Sequence, residues 1–170
     1  NQFSFLGYFF ENYQTSVGIG TEYRFETSIV RLLTTYKYRS KFTKELNDEK
    51  RNLEILEWRI NLRITGCIFN NTKRGWIFYY SQITDLKVLY KLDSTITSLV
   101  KRFNLEGKLK IKKLSKSYFE AKKIDVSNNQ YIINFDTLTK EEKIDILHKY
   151  LGTKKYSLTN KTEEEIDRLF

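Results

Sequence analysis

The stretch Phe3-Ser4-Phe5-Leu6-Gly7-Tyr8-Phe9-Phe10 is a run of aromatic and aliphatic residues interrupted only by Ser4 and Gly7. It is too short and too apolar for a surface helix, so we expect it to be buried as the first element of the fold. Gly7 has no Cβ and would allow another backbone to approach closely.

The segment that follows alternates between two faces. Between Glu22 and Leu32, Tyr23 and Phe25 fall on one side and Arg24 on the other, which is typical of a half-exposed strand. Gly18 lies where the turn of a hairpin would be expected.

Two helices and a second hairpin are predicted next. Leu53, Leu56 and Ile60 form a narrow apolar stripe that predicts a helix over residues 43–63, ended by Gly66. The remaining predictions are a hairpin with strands at 67–69 and 75–80, a helix at 85–103, a helical stretch at 117–125 and a short extended one at 130–135. Capping boxes at Thr139-Lys-Glu-Glu142 and Thr162-Glu-Glu-Glu165 predict two further helices.

Charge and composition narrow the function. The 170-residue chain has a net charge of +9 and a pI of about 9.4, which favours a polyanionic partner. No apolar run approaches the roughly 20 residues of a membrane span, and no signal peptide is recognisable, so we expect an intracellular protein without a membrane partner. The absence of Pro and Met and the single alanine suggest an AT-rich genome, such as a mitochondrion, mobile element or parasite.

Catalytic motifs are scarce in the sequence. His148 is the only histidine and Cys67 the only cysteine. The sequence therefore argues against a histidine-based triad, and it excludes a multi-cysteine metal site and an internal disulfide. Glu120-Ala-Lys122 matches half of a metal-dependent nuclease motif, but Asp93, the acidic residue that should precede it, is predicted on a helix. We expect no catalytic role for these residues.

The basic residues are the better candidates for binding. Alternation in Lys108-Leu-Lys-Ile-Lys-Lys-Leu-Ser-Lys116 would turn lysines towards phosphates while Leu109 and Ile111 anchor the segment. A solvated charge run is the alternative interpretation. The candidate nucleic-acid-binding residues are Arg24, Arg31, Lys73, Arg74, Lys108, Lys110, Lys112, Lys113 and Lys116.

The stretch Phe5-Leu-Gly-Tyr-Phe-Phe-Glu-Asn-Tyr13 resembles a degenerate copy of the motif that names the LAGLIDADG homing endonucleases, a family that also includes intron maturases. Looser similarity extends through Arg51-Asn-Leu-Glu-Ile-Leu56, Gly66-Cys-Ile-Phe69, residues 76–86 and Leu109–Lys116. The resemblance implies an α+β fold, an αββαββα saddle over residues 1–126, with residues 127–170 as a helical C-terminal tail. It also implies a homodimer, or a partner half-domain in a longer chain.

The resemblance implies a Mg²⁺-dependent nuclease, but the motif position that carries the metal-binding carboxylate is Asn12. Asn is a much poorer Mg²⁺ ligand than a carboxylate, and Glu11 could replace it only after a one-residue shift of register. We therefore expect a catalytically inactive protein that binds folded RNA or duplex DNA without a cofactor. The alternatives are an active DNA endonuclease using Glu11, Asn12 and Mg²⁺, and a structural RNA-binding component of a mitochondrial or other ribonucleoprotein.

Overall fold

A computed structural model describes residues 2–40, 46–123, 129–152 and 155–169. The protein is an α+β fold in which helices combine with two small sheets. The strands are Gln2–Phe5 (β1), Tyr8–Glu11 (β2), Gln14–Val17 (β3), Cys67–Phe69 (β4), Thr72–Arg74 (β5) and Ile133–Asn134 (β6). The helices are Ile19–Ser40 (α1), Leu46–Thr65 (α2), Trp76–Tyr79 (α3), Lys87–Arg102 (α4), Leu114–Ala121 (α5), Lys140–Leu151 (α6), Tyr156–Thr159 (α7) and Glu163–Asp167 (α8), with a 3₁₀ turn at Phe135–Thr137.

The first three strands form an antiparallel meander in the order β1-β2-β3. Two-residue turns connect them, at Leu6-Gly7 and at Asn12-Tyr13, and all four turn residues have positive φ. This is the type I′ geometry, whose twist matches that of the strands it joins. The predicted burial of residues 3–10 is therefore wrong for the first strand, and strands replace the helix with which the implied αββαββα saddle begins. Phe3 and Phe5 are 58% and 63% exposed, because the tight turn at Gly7 divides the apolar run into two short strands.

The segment predicted as a strand, residues 22–32, lies inside the 22-residue helix α1. The buried side chains are Thr21, Phe25, Ile29 and Leu33, at intervals of four residues. Phe25 and Ile29 fit a period of two as well as a helical period, but Tyr23 is 67% exposed and decides for the helix. The prediction of a strand was wrong because the residues that alternate along the sequence are not all buried. The buried positions recur every four residues and not every two.

Helix α2 confirms the predicted helix from residue 46 onwards, with Leu56, Ile60 and Ile64 buried and an end at Gly66, whose φ is +64°. Residues 43–45 of the prediction lie outside the described residues. It runs antiparallel to α1, since the start of α1 lies beside the end of α2. Their facing sides form a large part of the main core, which also includes α4 and α5.

The second sheet has the order β5-β4-β6. Asn70-Asn71 makes another two-residue turn with positive φ between β4 and β5, as the predicted hairpin requires. The Asp136 carboxylate accepts hydrogen bonds from both turn amides, at 2.7 and 2.8 Å. The predicted second strand at 75–80 is wrong, because the pairing ends at Arg74 and residues 76–79 form helix α3.

Helix α4 agrees with the helix predicted at 85–103, and it caps α5. The Asp93 carboxylate accepts from the backbone N–H of Leu114 at 2.6 Å and of Ser115 at 3.1 Å, and from the Ser115 hydroxyl at 2.6 Å. Lys113, at the N-cap position, makes no side-chain cap. Asp93 thus supplies from a neighbouring helix the acceptor that the first turn of α5 requires.

Both predicted capping boxes are present, at α6 and α8, and Gly152 ends α6 in the left-handed conformation. Ile144, Leu147, Leu158 and Ile166 form a second apolar cluster. Trp58 of α2 stacks on Tyr150 of α6, with ring centroids 4.6 Å apart.

The predicted domain boundary at 126/127 lies among residues 124–128, outside the described residues. Beyond it, Ile132 is fully buried in the main core and β6 pairs parallel with β4, so the tail is not purely helical. The element order also departs from αββαββα, since three strands precede α1. Within the described part of the chain, none of the helices has the length and apolar character needed to cross a membrane.

We expect Asp93→Ala to lower the free energy of unfolding by about 1–3 kcal/mol, because it leaves partly buried donors at the start of α5 without their acceptor. Urea denaturation followed by circular dichroism measures this change. Ser94→Ala, at the exposed neighbouring position, should change the free energy by less than about 0.5 kcal/mol. Equal stability of the two variants would contradict the capping role.

Candidate nucleic-acid interface

A cavity of about 670 Å³ lies where α1, α2 and the end of β5 meet, and arginines surround it. Two come from α1, two from α2 and one from β5. These are Arg24, Arg31, Arg59, Arg63 and Arg74, which together we call the arginine groove.

Helical spacing explains this convergence. Arg24 and Arg31 are seven residues apart, two turns along the same side of α1, and Arg59 and Arg63 are one turn apart on α2. Because the helices are antiparallel, the two pairs face one cavity. A second, smaller cavity shares Leu32 and Arg59 with the first and extends along the same helix pair.

A pair of glycines brings Arg74 to this cavity. Gly66 and Gly75 face each other across the base of the β4–β5 hairpin, and both line the cavity. A Cβ on Gly75 would lie 2.6 Å from the Gly66 Cα, closer than any side chain allows. The close backbone approach at this point holds the end of β5 against the end of α2.

The charges of the arginine groove are not neutralised within the described residues. No Asp or Glu is among the residues that line the cavity, and none of the five arginines forms an ion pair there. Arg24 donates to the Thr21 hydroxyl at 3.1 Å, and the Arg63 Nε donates to the Ser28 hydroxyl at 3.0 Å. Neutral partners therefore orient two of the guanidinium groups without cancelling their charge.

The remaining lining is largely apolar. Leu32 and Leu62 come from the two helices, and Trp76 packs its ring against Phe25, with centroids 5.0 Å apart. Tyr23 projects from α1 and is 67% exposed. The arginine groove thus joins cationic groups to an apolar and aromatic wall.

Cys67 also lines the cavity and reports on its electrostatics. Burial raises the pKa of the Cys67 thiol, and the positive charge of Arg74 opposes this effect. Arg74 and Cys67 are register partners across the β4–β5 hairpin.

The lysines at 108–116 do not line this cavity. We call residues 108–116 the lysine segment. The Glu57 carboxylate accepts from the backbone N–H of Lys110 at 2.7 Å, and the Asn61 side chain bonds to the backbone of Lys110 and Lys112. Glu57 and Asn61 are about 200° around α2 from Arg59 and Arg63 respectively, at 100° per residue. The lysine segment and the arginine groove therefore lie on opposite sides of α2.

One lysine of the segment is directed inwards. Lys112 is half-buried, and its ammonium donates to the Tyr131 carbonyl at 2.6 Å. Burial lowers the pKa of Lys112, and the charge of Lys116 lowers it further. The other predicted lysines, Lys108, Lys110, Lys113 and Lys116, are exposed, although Lys116 also lies over the Tyr131 ring.

The remaining predicted residues are dispersed. Lys73 is exposed on β5 beside the Phe78 ring and does not line the cavity. Glu11 lies in β2, where its carboxylate accepts from the Gln2 amide, and Asn12 occupies the following turn. The expected placement of Glu11 or Asn12 at the end of a motif helix is therefore wrong, because these residues belong to a hairpin.

The other residues considered for catalysis cap a helix, form an ion pair or lie on the surface. Asp93 caps α5, and Glu120 forms an ion pair with Lys123 at 2.6 Å. His148 is exposed near the end of α6. Over the described ranges, no three His, Cys, Asp or Glu residues are grouped so that they could hold a metal ion.

Comparison of the chain with protein-family models, with curated protein sequences and with solved structures found no match. Arg59 and Arg63 are the site residues that sequence reasoning missed. Their spacing on the predicted helix was visible, but their partners Arg24 and Arg31 share a face only when residues 22–32 are helical.

We expect Arg74→Gln to slow alkylation of Cys67 at pH 8. Thiolate is the reactive form, and removing the positive charge raises the thiol pKa further, so less thiolate is present at that pH. The pH midpoint of iodoacetamide reaction at this single cysteine should move upwards. Lys73→Gln removes the same charge from the adjacent residue, outside the cavity, and should leave the midpoint in place. A lower midpoint in Arg74→Gln would contradict the assignment.

Proposed function

We propose that this protein binds the sugar–phosphate backbone of RNA or DNA through the arginine groove. The observation that carries the proposal is the convergence of five arginines on one cavity without a carboxylate among its lining residues. Clustered cations without internal counter-charges repel one another, and an anionic ligand relieves this repulsion.

Arginine suits this role better than lysine does. Its planar guanidinium donates two parallel hydrogen bonds to a phosphate and loses less conformational freedom on doing so. The net charge of +9 adds a long-range attraction that raises the rate of encounter with a polyanion.

The proposal does not depend on the LAGLIDADG resemblance. Residues 5–13, which carry the motif-like part of that resemblance, form parts of two strands and the turns after them, where the family would place a helix at a dimer seam. A saddle gripping a duplex would require a different arrangement of strands from the two three-stranded sheets observed. The binding chemistry instead follows from the arginine groove itself.

The lysine segment supports a second candidate, a structural component of a ribonucleoprotein. Its exposed ammonium groups lie on the side of α2 opposite the arginine groove, so one copy of the protein presents two basic surfaces. Two surfaces of this kind can hold two segments of a folded RNA.

Substituting two arginines should weaken the salt dependence of binding. Five phosphate contacts to duplex DNA predict a slope of log K against log salt of about −4.5, and each contact removed reduces it by about 0.9. We therefore expect Arg59→Gln/Arg63→Gln to make the slope about 1.8 units shallower, as measured by fluorescence anisotropy from 50 to 200 mM salt.

The matched control is Lys101→Gln/Arg102→Gln, which removes two exposed charges at the end of α4, outside the cavity. Its slope should remain near that of the unsubstituted protein. If both double variants lost the same amount, general charge and not the arginine groove would explain binding.

The same titration separates the two candidate functions. For Lys110→Gln/Lys113→Gln, a duplex that occupies only the arginine groove should show an unchanged slope. A folded RNA that bridges both surfaces should show a shallower slope with this variant as well as with Arg59→Gln/Arg63→Gln.

The alternative of an active endonuclease gives a different result. It requires Mg²⁺-dependent nicking of AT-rich duplex DNA that Glu11→Gln abolishes, whereas binding through the arginine groove is independent of Glu11. Nicking by the unsubstituted protein and none by Glu11→Gln would replace the binding-only proposal.

A further inference from the structure

The arginine groove is a concave cavity and not merely a charged surface. Its volume of about 670 Å³ falls within the range of about 300–1,000 Å³ typical of small-molecule sites. A duplex presents its phosphates on a convex surface and keeps its bases stacked inside. A backbone contact to a duplex would therefore leave the apolar part of this cavity unused.

The aromatic residues of the cavity indicate what fills it. Tyr23 lies beside Arg24, and it is 67% exposed. A ligand that covered its apolar ring would bury it at little conformational cost. Stacking of unpaired bases on such rings is the usual means by which proteins hold single strands, because every base has a π-face.

Trp76 adds a second aromatic ring to the site. It lines the cavity, and its ring packs against Phe25 with centroids 5.0 Å apart, so the wall beside the arginines has a fixed apolar surface.

We infer that the arginine groove takes an unpaired nucleotide of a single strand or RNA loop, with its phosphates on the arginines and its base against Tyr23 and the apolar wall. This inference rests on the proposed function and narrows it, since it selects single-stranded over duplex ligands. An acidic protein segment would satisfy the arginines but would leave the aromatic wall without a stacking partner.

The test compares three labelled ligands of equal phosphate number per strand by fluorescence anisotropy at 100 mM salt. They are an unstructured 12-nucleotide strand, the same strand with every base removed, and its duplex. We expect the strand with bases to bind at least tenfold more tightly than the abasic strand, and more tightly than the duplex.

Tyr23→Ala isolates the stacking contribution. It should weaken binding of the strand with bases by about 5- to 150-fold, the range expected for one base stacked on an aromatic ring, and leave the abasic strand unaffected. Tyr90→Ala is the matched control, since Tyr90 is a 57% exposed tyrosine on α4, outside the cavity. It should not change any of the three affinities.

The occupied cavity can also be observed directly. Trp58→Phe keeps an aromatic ring on Tyr150 and leaves Trp76 as the only tryptophan. The strand with bases should change the fluorescence of Trp76, whereas the abasic strand should not.

The outcomes distinguish the two proposals. Equal affinities for the abasic strand and the strand with bases, with no effect of Tyr23→Ala, would overturn the inference and leave backbone binding intact. If none of the three ligands bound even at 50 mM salt, the proposed function would fail and the inference with it. An acidic peptide serves as a fourth ligand, and its tight binding without binding of any of the other three would have the same consequence.

Discussion

The antiparallel packing of α1 against α2 forms a large part of the main core and positions four of the five arginines of the arginine groove. Phe25, Ile29 and Leu33 on one helix, and Leu56, Ile60 and Ile64 on the other, are nearly or fully buried in the main core. Burial of each such side chain contributes about 1.5–3 kcal/mol, so this helix pair provides a substantial part of the stability. Four of the five arginines of the groove follow the same helical periods, displaced around each helix from the buried stripe, and Arg74 comes from β5. The packing that stabilises the fold therefore also determines which cations meet.

This arrangement explains how the fold tolerates an unneutralised cluster of charge. Two unit charges one helical turn apart, at about 6 Å, repel by roughly 0.7 kcal/mol in water. Four of the five arginines are exposed, so solvent screens them well, and the repulsion is small against the burial of six core side chains. The cluster is thus a modest cost in the free protein. An anion in the cavity would offset this cost, because it would attract the same groups that repel one another.

The sequence predicted some elements accurately and failed at others for identifiable reasons. Helix α2, its end at Gly66 and both C-terminal capping boxes depend on local signals, a stripe, a glycine and a reciprocal side-chain pair. Residues 22–32 were assigned wrongly because Phe25 and Ile29 satisfy both a strand and a helix period. The exposure of Tyr23, which a strand would place on the same face as Phe25, distinguishes the two. The consequence for the site was large. Residues 24 and 31 lie on opposite faces of a strand but on one face of a helix. With the element type wrong, the arginine groove could not be assembled from the sequence.

The contrast between the two basic regions shows that charge density along a sequence does not indicate which cations converge in the fold. The lysine segment is the densest basic stretch, yet α2 side chains bind its backbone and Tyr131 takes up the Lys112 ammonium. Its exposed lysines are hydrated point charges. The five arginines are dispersed over fifty residues of sequence, from Arg24 to Arg74, and only the tertiary fold brings them together. Convergence on a concave surface allows several guanidinium groups to act on one ligand. Because guanidinium groups are planar, they suit both a phosphate, through paired hydrogen bonds, and the flat face of a base, whereas an ammonium group lacks the planar fork.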